Sequence, residues 1–322
     1  MREIEVEVFL DQIGTGVSRP VIVLGDDFNE YILKNEKVDE NGTLVSYNSM
    51  FVNELLSYQI GCYLGVPMPE SVIAIVDSAF AEDDPTIRFA YRFEKGKYFA
   101  TKKLKYIENN LEENYFTLLK MGKPYMKTTW KKFFKDISNK EQVKNILAFD
   151  IFIANFDRYN NEGNILIDKS ELRKIYAIDH GHAFFGPVWN KNKVNCLNLA
   201  SIDDNYIEMY TQEILKYIPG SMFNSLEEYI NLEDVNNNPF DEIVSKIMDI
   251  DEEMVELWMN NIPTEWYVDK DYQIAYYKKF ILNQKEVVKY IIQNLAYKNA
   301  FSNYKGGVLK WSKQKQKFPT VL

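Results

Sequence analysis

The segment running from Phe149 to Leu166 constrains this chain more than any other. It reads Phe149-Asp150-Ile151-Phe152-Ile153-Ala154-Asn155-Phe156-Asp157-Arg158-Tyr159-Asn160-Asn161-Glu162-Gly163-Asn164-Ile165-Leu166, and Ile178-Asp179-His180-Gly181 follows twelve residues later. An apolar helical pattern ends in an acidic loop whose Asp157 and Asn164 precede a strand, and a second strand leads to Asp179. A carboxylate that orients an acceptor hydroxyl, with an amide and a second carboxylate that hold a divalent cation, is the set that phosphoryl transfer from a metal nucleotide requires. Loop positions between packed elements suit such groups, because the flanking helix and strands keep them in place.

The first third of the chain is strand-rich, with strict alternation over Ile4 to Leu10 and a β-branched run at Val21 to Leu24. Ile4 to Leu10, Val21 to Leu24, Tyr31 to Lys34, Ser71 to Val76, Ile87 to Phe93 and Tyr98 to Leu104 are expected strands, punctuated by Gly25-Asp26-Asp27 and Lys95-Gly96. From Asn110 onward helical patterns dominate. Expected helices cover Gln142 to Asn155, Asn205 to Tyr217, Ser225 to Ile230, Asp241 to Met248, Asp251 to Asn260 and Lys270 to Ala300. The class expected is therefore α+β, with a β-rich N-terminal lobe over residues 1–103 and a mainly helical C-terminal lobe over 104–322.

Two features of the first lobe suit a nucleotide. Gly14-Thr15-Gly16-Val17-Ser18 lies between strands, and glycine lets backbone amides approach phosphates. Lys34 ends its strand pattern, and Glu54 follows in the helix containing Phe51, Leu55 and Tyr58, where it can supply a fixed countercharge. Asp150 interrupts an apolar helix and is expected to anchor the following loop.

In their order, Lys34, Asn53-Glu54, Asn155-Phe156-Asp157-Arg158, Asn164-Ile165-Leu166 and Ile178-Asp179-His180-Gly181-His182-Ala183-Phe184 resemble the HipA-like kinases and, more distantly, the phosphatidylinositol 3- and 4-kinases. The resemblance covers residues 1 to about 190. It implies a bilobal protein-kinase-like fold and an ATP- and Mg²⁺-dependent serine/threonine kinase capable of autophosphorylation, with Thr15 or Ser18 as acceptors. By the same resemblance Asp157 is the catalytic base and Asn164 and Asp179 are Mg²⁺ ligands. Lys34 contacts phosphates and pairs with Glu54, and Gly14, Thr15, Gly16, Val17 and Ser18 cover them. The chain departs from the family where Tyr159 follows Asp-Arg and where Asn164 stands seven positions beyond Asp157 instead of five. Asn160 and Asn161 are thus alternative metal ligands.

The net charge of −9 gives the surface no general attraction for nucleic acid or anionic membranes, despite basic stretches at Lys127 to Lys135 and Lys310 to Lys317. Cys62 and Cys196 are too few for a disulfide framework, and Cys62 is expected to be a buried thiol. Neither a signal peptide nor a membrane span is expected, and a cytoplasmic location fits. Against a metallohydrolase, His180 and His182 are the only histidines. A lipid kinase, a small-molecule kinase and a non-catalytic pseudokinase that binds a partner are the competing readings.

Overall fold

The computed structural model describes residues 1–13, 19–40, 42–78, 80, 92–108, 121, 127–159, 164–218 and 220–312. Strands β1 (Glu3–Gln12), β2 (Val21–Gly25), β3 (Glu30–Leu33), β6 (Ser71–Val76) and β7 (Gly96–Lys102) close into a barrel in the order β1-β2-β3-β7-β6. All neighbours are antiparallel except β1 and β6, which run parallel with Glu3 opposite Ile73. Closure pairs both edges of the sheet, which would otherwise present unpaired backbone groups. Alternation places Ile4, Val6, Val21, Val23 and Leu33 in the barrel interior, while Glu3, Glu5 and Glu7 face outward.

Between β3 and β6 the chain forms a two-stranded hairpin, β4 (Lys37–Glu40) with β5 (Thr43–Ser46), and helix α1 (Met50–Leu64). Alternation does not announce the hairpin, because its strands are short and largely exposed and β4 is mostly charged. Helix α1 stops at Gly65, whose φ of 74° only glycine adopts without strain. It is not amphipathic in the expected sense: every residue from Met50 to Ser57 is buried. Its outward edge comes at its end, so Cys62, expected to be buried, is exposed.

The remainder is helical: α2 (Lys127–Phe134), α3 (Val143–Ile153), α4 (Lys191–Leu199), α5 (Asp204–Tyr217), α6 (Ser221–Leu226), α7 (Asp241–Met248), α8 (Glu252–Asn260) and α9 (Lys270–Tyr297). A hairpin of β8 (Ile165–Asp168) and β9 (Lys174–Ala177) follows α3. Asp203, Asp251 and Asp269 accept backbone hydrogen bonds at the starts of α5, α8 and α9, which explains where those helices begin. Helix α9 packs against α3, α4, α5, α7 and α8 as a central spine. Its buried side chains join those of α1 and α3 in one core, distinct from the barrel interior. Among the described residues no helix is long and apolar enough to cross a membrane.

Most expected strands and helices among the described residues lie within a few residues of those found, but the helix expected over Ser225 to Ile230 is instead α6 (Ser221–Leu226) followed by a 3-10 turn over Glu227–Tyr229. Ile87 to Tyr91, the glycine segment Gly14 to Ser18 with its Thr15 and Val17, and Asn160 and Asn161 lie outside the described residues.

Candidate active site

Lys34 follows β3 immediately, and its amide donates to the Phe99 carbonyl at 3.2 Å, so the barrel sets its position. Its ammonium donates to Glu54 Oε1 and, at 3.1 Å, to Asp179 Oδ1. Glu54 lies on α1, and its second oxygen accepts the His180 amide at 3.1 Å. One ion triad therefore joins the barrel, α1 and the segment after β9.

Burial works against the charges of Lys34 and Glu54. It would lower the Lys34 pKa, but Asp179 and Glu54 more than offset it and hold the ammonium charged. For Glu54 burial opposes ionisation, and Lys34 with His180 outweighs it, keeping the carboxylate ionised. Burial pushes the His180 ring down, so it is neutral near pH 7. Side-chain exposure rises from 2% at Glu54 and 12% at Lys34 to 45% at Asp179, so the triad opens outward at the aspartate. Asp179 is held at a φ of 59°, a left-handed conformation unusual for a non-glycine residue.

The loop after α3 is built on Asp150 and Arg158. Asp150 is 2% exposed; Oδ1 accepts Asn155 Nδ2 at 3.0 Å and Oδ2 accepts Arg158 Nε at 2.7 Å. Arg158, fully buried, also donates through Nη1 to the carbonyls of Asn164 at 2.6 Å and Ile178 at 2.8 Å. One guanidinium thus fastens the start of the loop to the residue before β8 and to the residue before Asp179. In the sequence Arg158 stands within the Asn155-Phe156-Asp157-Arg158 motif with no task of its own. The signal for it in the chain is a carboxylate, Asp150, inside an otherwise apolar helix, with an arginine just past the helix end.

Asp157 and Asn164 are carried on this framework. Asp157 Oδ1 and Asn164 Nδ2 are buried and have no hydrogen-bond partner among the described residues, and the same holds for Asn155 Oδ1, Arg158 Nη2 and His180 Nε2. Orphaned buried polar atoms are expensive, and their concentration here marks a place that a polar ligand would complete. Burial pushes the Asp157 carboxyl up, His182 counteracts this, and Asp179 adds to the rise.

The structure thus brings Lys34, Glu54 and Asp179 into direct contact, and ties the backbones flanking Asp157, Asn164 and Asp179 to one arginine. Asp179, with an outward carboxylate, and Asn164, with a buried amide, each carry a side-chain oxygen of the kind a hard divalent cation takes, and few protein oxygens are needed where phosphates supply the rest.

The model of the family described as HipA-like kinase matches residues 6–231, and the chain belongs to that family. The match extends the sequence resemblance beyond residue 190 into α4, α5 and α6. The chain is accordingly a kinase-type phosphotransferase, for which ATP is the phosphoryl donor the family implies. It is similar to the crystal structure of the Helicobacter pylori proinflammatory kinase CtkA, with a TM-score of 0.49 and 14% identity over 92% of this chain and 96% of that one. It is also similar to the Golgi casein kinase, with a TM-score of 0.40 and 12% identity over 89% of this chain and 71% of that one. Among curated proteins no sequence matches this chain.

Proposed function

We propose that the chain transfers the γ-phosphoryl group of ATP to serine or threonine hydroxyls of proteins, including its own. The observation that carries this reading is the triad of Lys34, Glu54 and Asp179 beside a loop whose Asp157 and Asn164 keep unpartnered buried polar atoms. Lys34, charged and held by Glu54, contacts the phosphates and offsets their charge. Asp157 orients the acceptor hydroxyl and takes its proton as the bond from that oxygen to the γ-phosphorus forms and the bond from phosphorus to the bridging oxygen breaks, releasing ADP. Asn164 and Asp179 would hold Mg²⁺, which when bound neutralises charge on the phosphates. Gly14 to Ser18 covers the phosphates, with residues 1–103 as the nucleotide-binding lobe and 104–322 as the lobe that brings the acceptor. Positioning and charge neutralisation supply the rate, without a covalent intermediate.

The test is transfer from γ-labelled ATP with Mg²⁺, comparing wild type with Asp157→Ala and Asp179→Ala on the chain itself, on protein acceptors and on inositol-lipid vesicles. Label on Ser or Thr that both substitutions abolish is the expected result. Label on lipid alone would replace the protein acceptor with a lipid one. Phosphopeptides from residues 14–18 identify Thr15 or Ser18 as self-acceptors, and a phosphate there should inhibit, since it adds negative charge where ATP must bind.

A further inference from the structure

Lys193 is 2% exposed, and no carboxylate bonds it among the described residues. It sits in the first turn of α4, where the Asn190 side chain caps its amide at 2.9 Å. That is the end of a helix at which a cation is least favoured. Burial alone drives its pKa well down. A lysine kept in so costly a place must be making bonds that matter.

Those bonds converge on the segment that carries Asp179. Lys193 Nζ donates to the Gly186 carbonyl at 2.6 Å and to Asn53 Oδ1 at 3.0 Å. Tyr277, from the first third of α9, donates its hydroxyl to the same Asn53 oxygen at 2.7 Å, and Lys193 Nζ lies 5.2 Å from the centre of the Tyr277 ring. Two donors on Oδ1 fix which way the Asn53 amide faces. Its Nδ2 then donates to the carbonyls of Gly181 at 2.6 Å, Ala183 at 2.9 Å and Gly186 at 3.0 Å. Asn53 is the residue beside Glu54 on α1.

The segment needs such restraint. Asp179, Phe184, Phe185 and Gly186 have φ of 59°, 54°, 64° and 110°, and left-handed non-glycine residues persist only where their surroundings over-determine them. Gly181 approaches α1 so closely that a β-carbon would lie 2.6 Å from Met50 Cγ. We propose that Lys193 is a positioning residue for phosphoryl transfer: through Asn53 and Gly186 it holds residues 179–186 against α1, so that Asp179 and Glu54 keep their places on Lys34. This rests on the active-site reading above. It also makes the contact between α9 and α1, through Tyr277, part of the support of the site.

The test uses the full-length chain with Lys193→Met, which keeps the stem and removes the donors, and Tyr277→Phe, which keeps the ring and removes one donor. Hydrogen exchange over residues 179–186 without nucleotide should quicken about tenfold in Lys193→Met while exchange in the barrel strands is unchanged. The Mg²⁺ concentration giving half-maximal transfer should rise about 10- to 100-fold, with KM for the protein acceptor constant. Tyr277→Phe should shift both in the same direction by less, and it decides the matter should Lys193→Met fail to fold. Wild-type exchange and Mg²⁺ dependence in the variants overturn the proposal, as does exchange that quickens everywhere in step with a lowered melting temperature. Asp179→Ala is the control: if it stays active, the active-site reading fails and the inference with it. If it is inactive while Lys193→Met keeps wild-type Mg²⁺ dependence, the Lys193 inference alone fails.

Discussion

The barrel and the loop assembly around Arg158 are held together by opposite means. In the barrel, each strand satisfies its backbone through its neighbours, and the interior is filled by aliphatic side chains such as Ile4, Val21 and Val23. Around residues 150–186 regular pairing is short, and buried polar groups take its place: Asp150, Asn155, Arg158 and Asn164 are each 2% exposed or less. Apolar packing is non-directional and degrades by small steps, whereas a buried polar network fails when one member loses its partner. The second kind of construction is what places charges and orphaned donors at a reacting centre.

The sharpest way to break this comparison uses two adjacent residues. Asp157→Asn should lower kcat by about 10²- to 10⁴-fold, the range of a lost general base. It should also raise stability at neutral pH. Asp157 has its folded pKa above the usual 3.8 because burial penalises the carboxylate. The folded state therefore binds the proton more tightly than the unfolded one, stability falls as pH rises through that interval, and the amide removes the penalty. Urea unfolding and steady-state kinetics on one preparation check both halves. For the same reason the acid limb of wild-type kcat/KM should lie above the ordinary aspartate value, with activity lost as pH falls through the raised pKa.

Arg158→Met should do the reverse to stability, costing about 3–5 kcal/mol by leaving Asp150 charged and buried without its partner. Adding Asp150→Asn should recover part of that loss in urea unfolding. Unchanged stability in Arg158→Met would show that the loop does not depend on the guanidinium.

A third prediction concerns the junction of the two regions. Glu36 lies between β3 and the hairpin, accepts the Phe51 amide at 3.4 Å at the start of α1, and is pushed by burial up to about 7. Its folded pKa exceeds the unfolded value, so the chain loses stability as pH rises from about 4.5 to about 7 and stays lower above that. Glu36→Gln should be more stable than wild type by on the order of 2–3 kcal/mol at pH 8, with the difference gone by pH 4. The smallest effect belongs to the barrel: Ile4→Val, at a 2% exposed site, should cost about 0.5–1.5 kcal/mol and leave transfer unchanged.

Much of this was legible in the chain. Val21 to Leu24 and Ser71 to Val76 read as strands because alternation and β-branching are local properties, and Asp241 to Met248 read as a helix for the same reason. The order Lys34, Glu54, Asp157, Asn164, Asp179 was enough to nominate the site, because the residue types needed to hold phosphates and a divalent cation are few. The closed order of the barrel, the burial of α1 on nearly all sides, and the union of α1 with the helical core were not legible. Each arises from contacts between elements far apart in sequence, which no local period records. The same applies to Lys193 and Tyr277, which lie 140 and 224 positions from Asn53 and meet it on one amide oxygen. By itself the sequence determined the class of fold and nominated the residues for the chemistry, since residue type and local pattern are written there. Only the tertiary structure decided what holds them in place, because a buried polar group finds its partner across space, wherever packing leaves a donor opposite an acceptor.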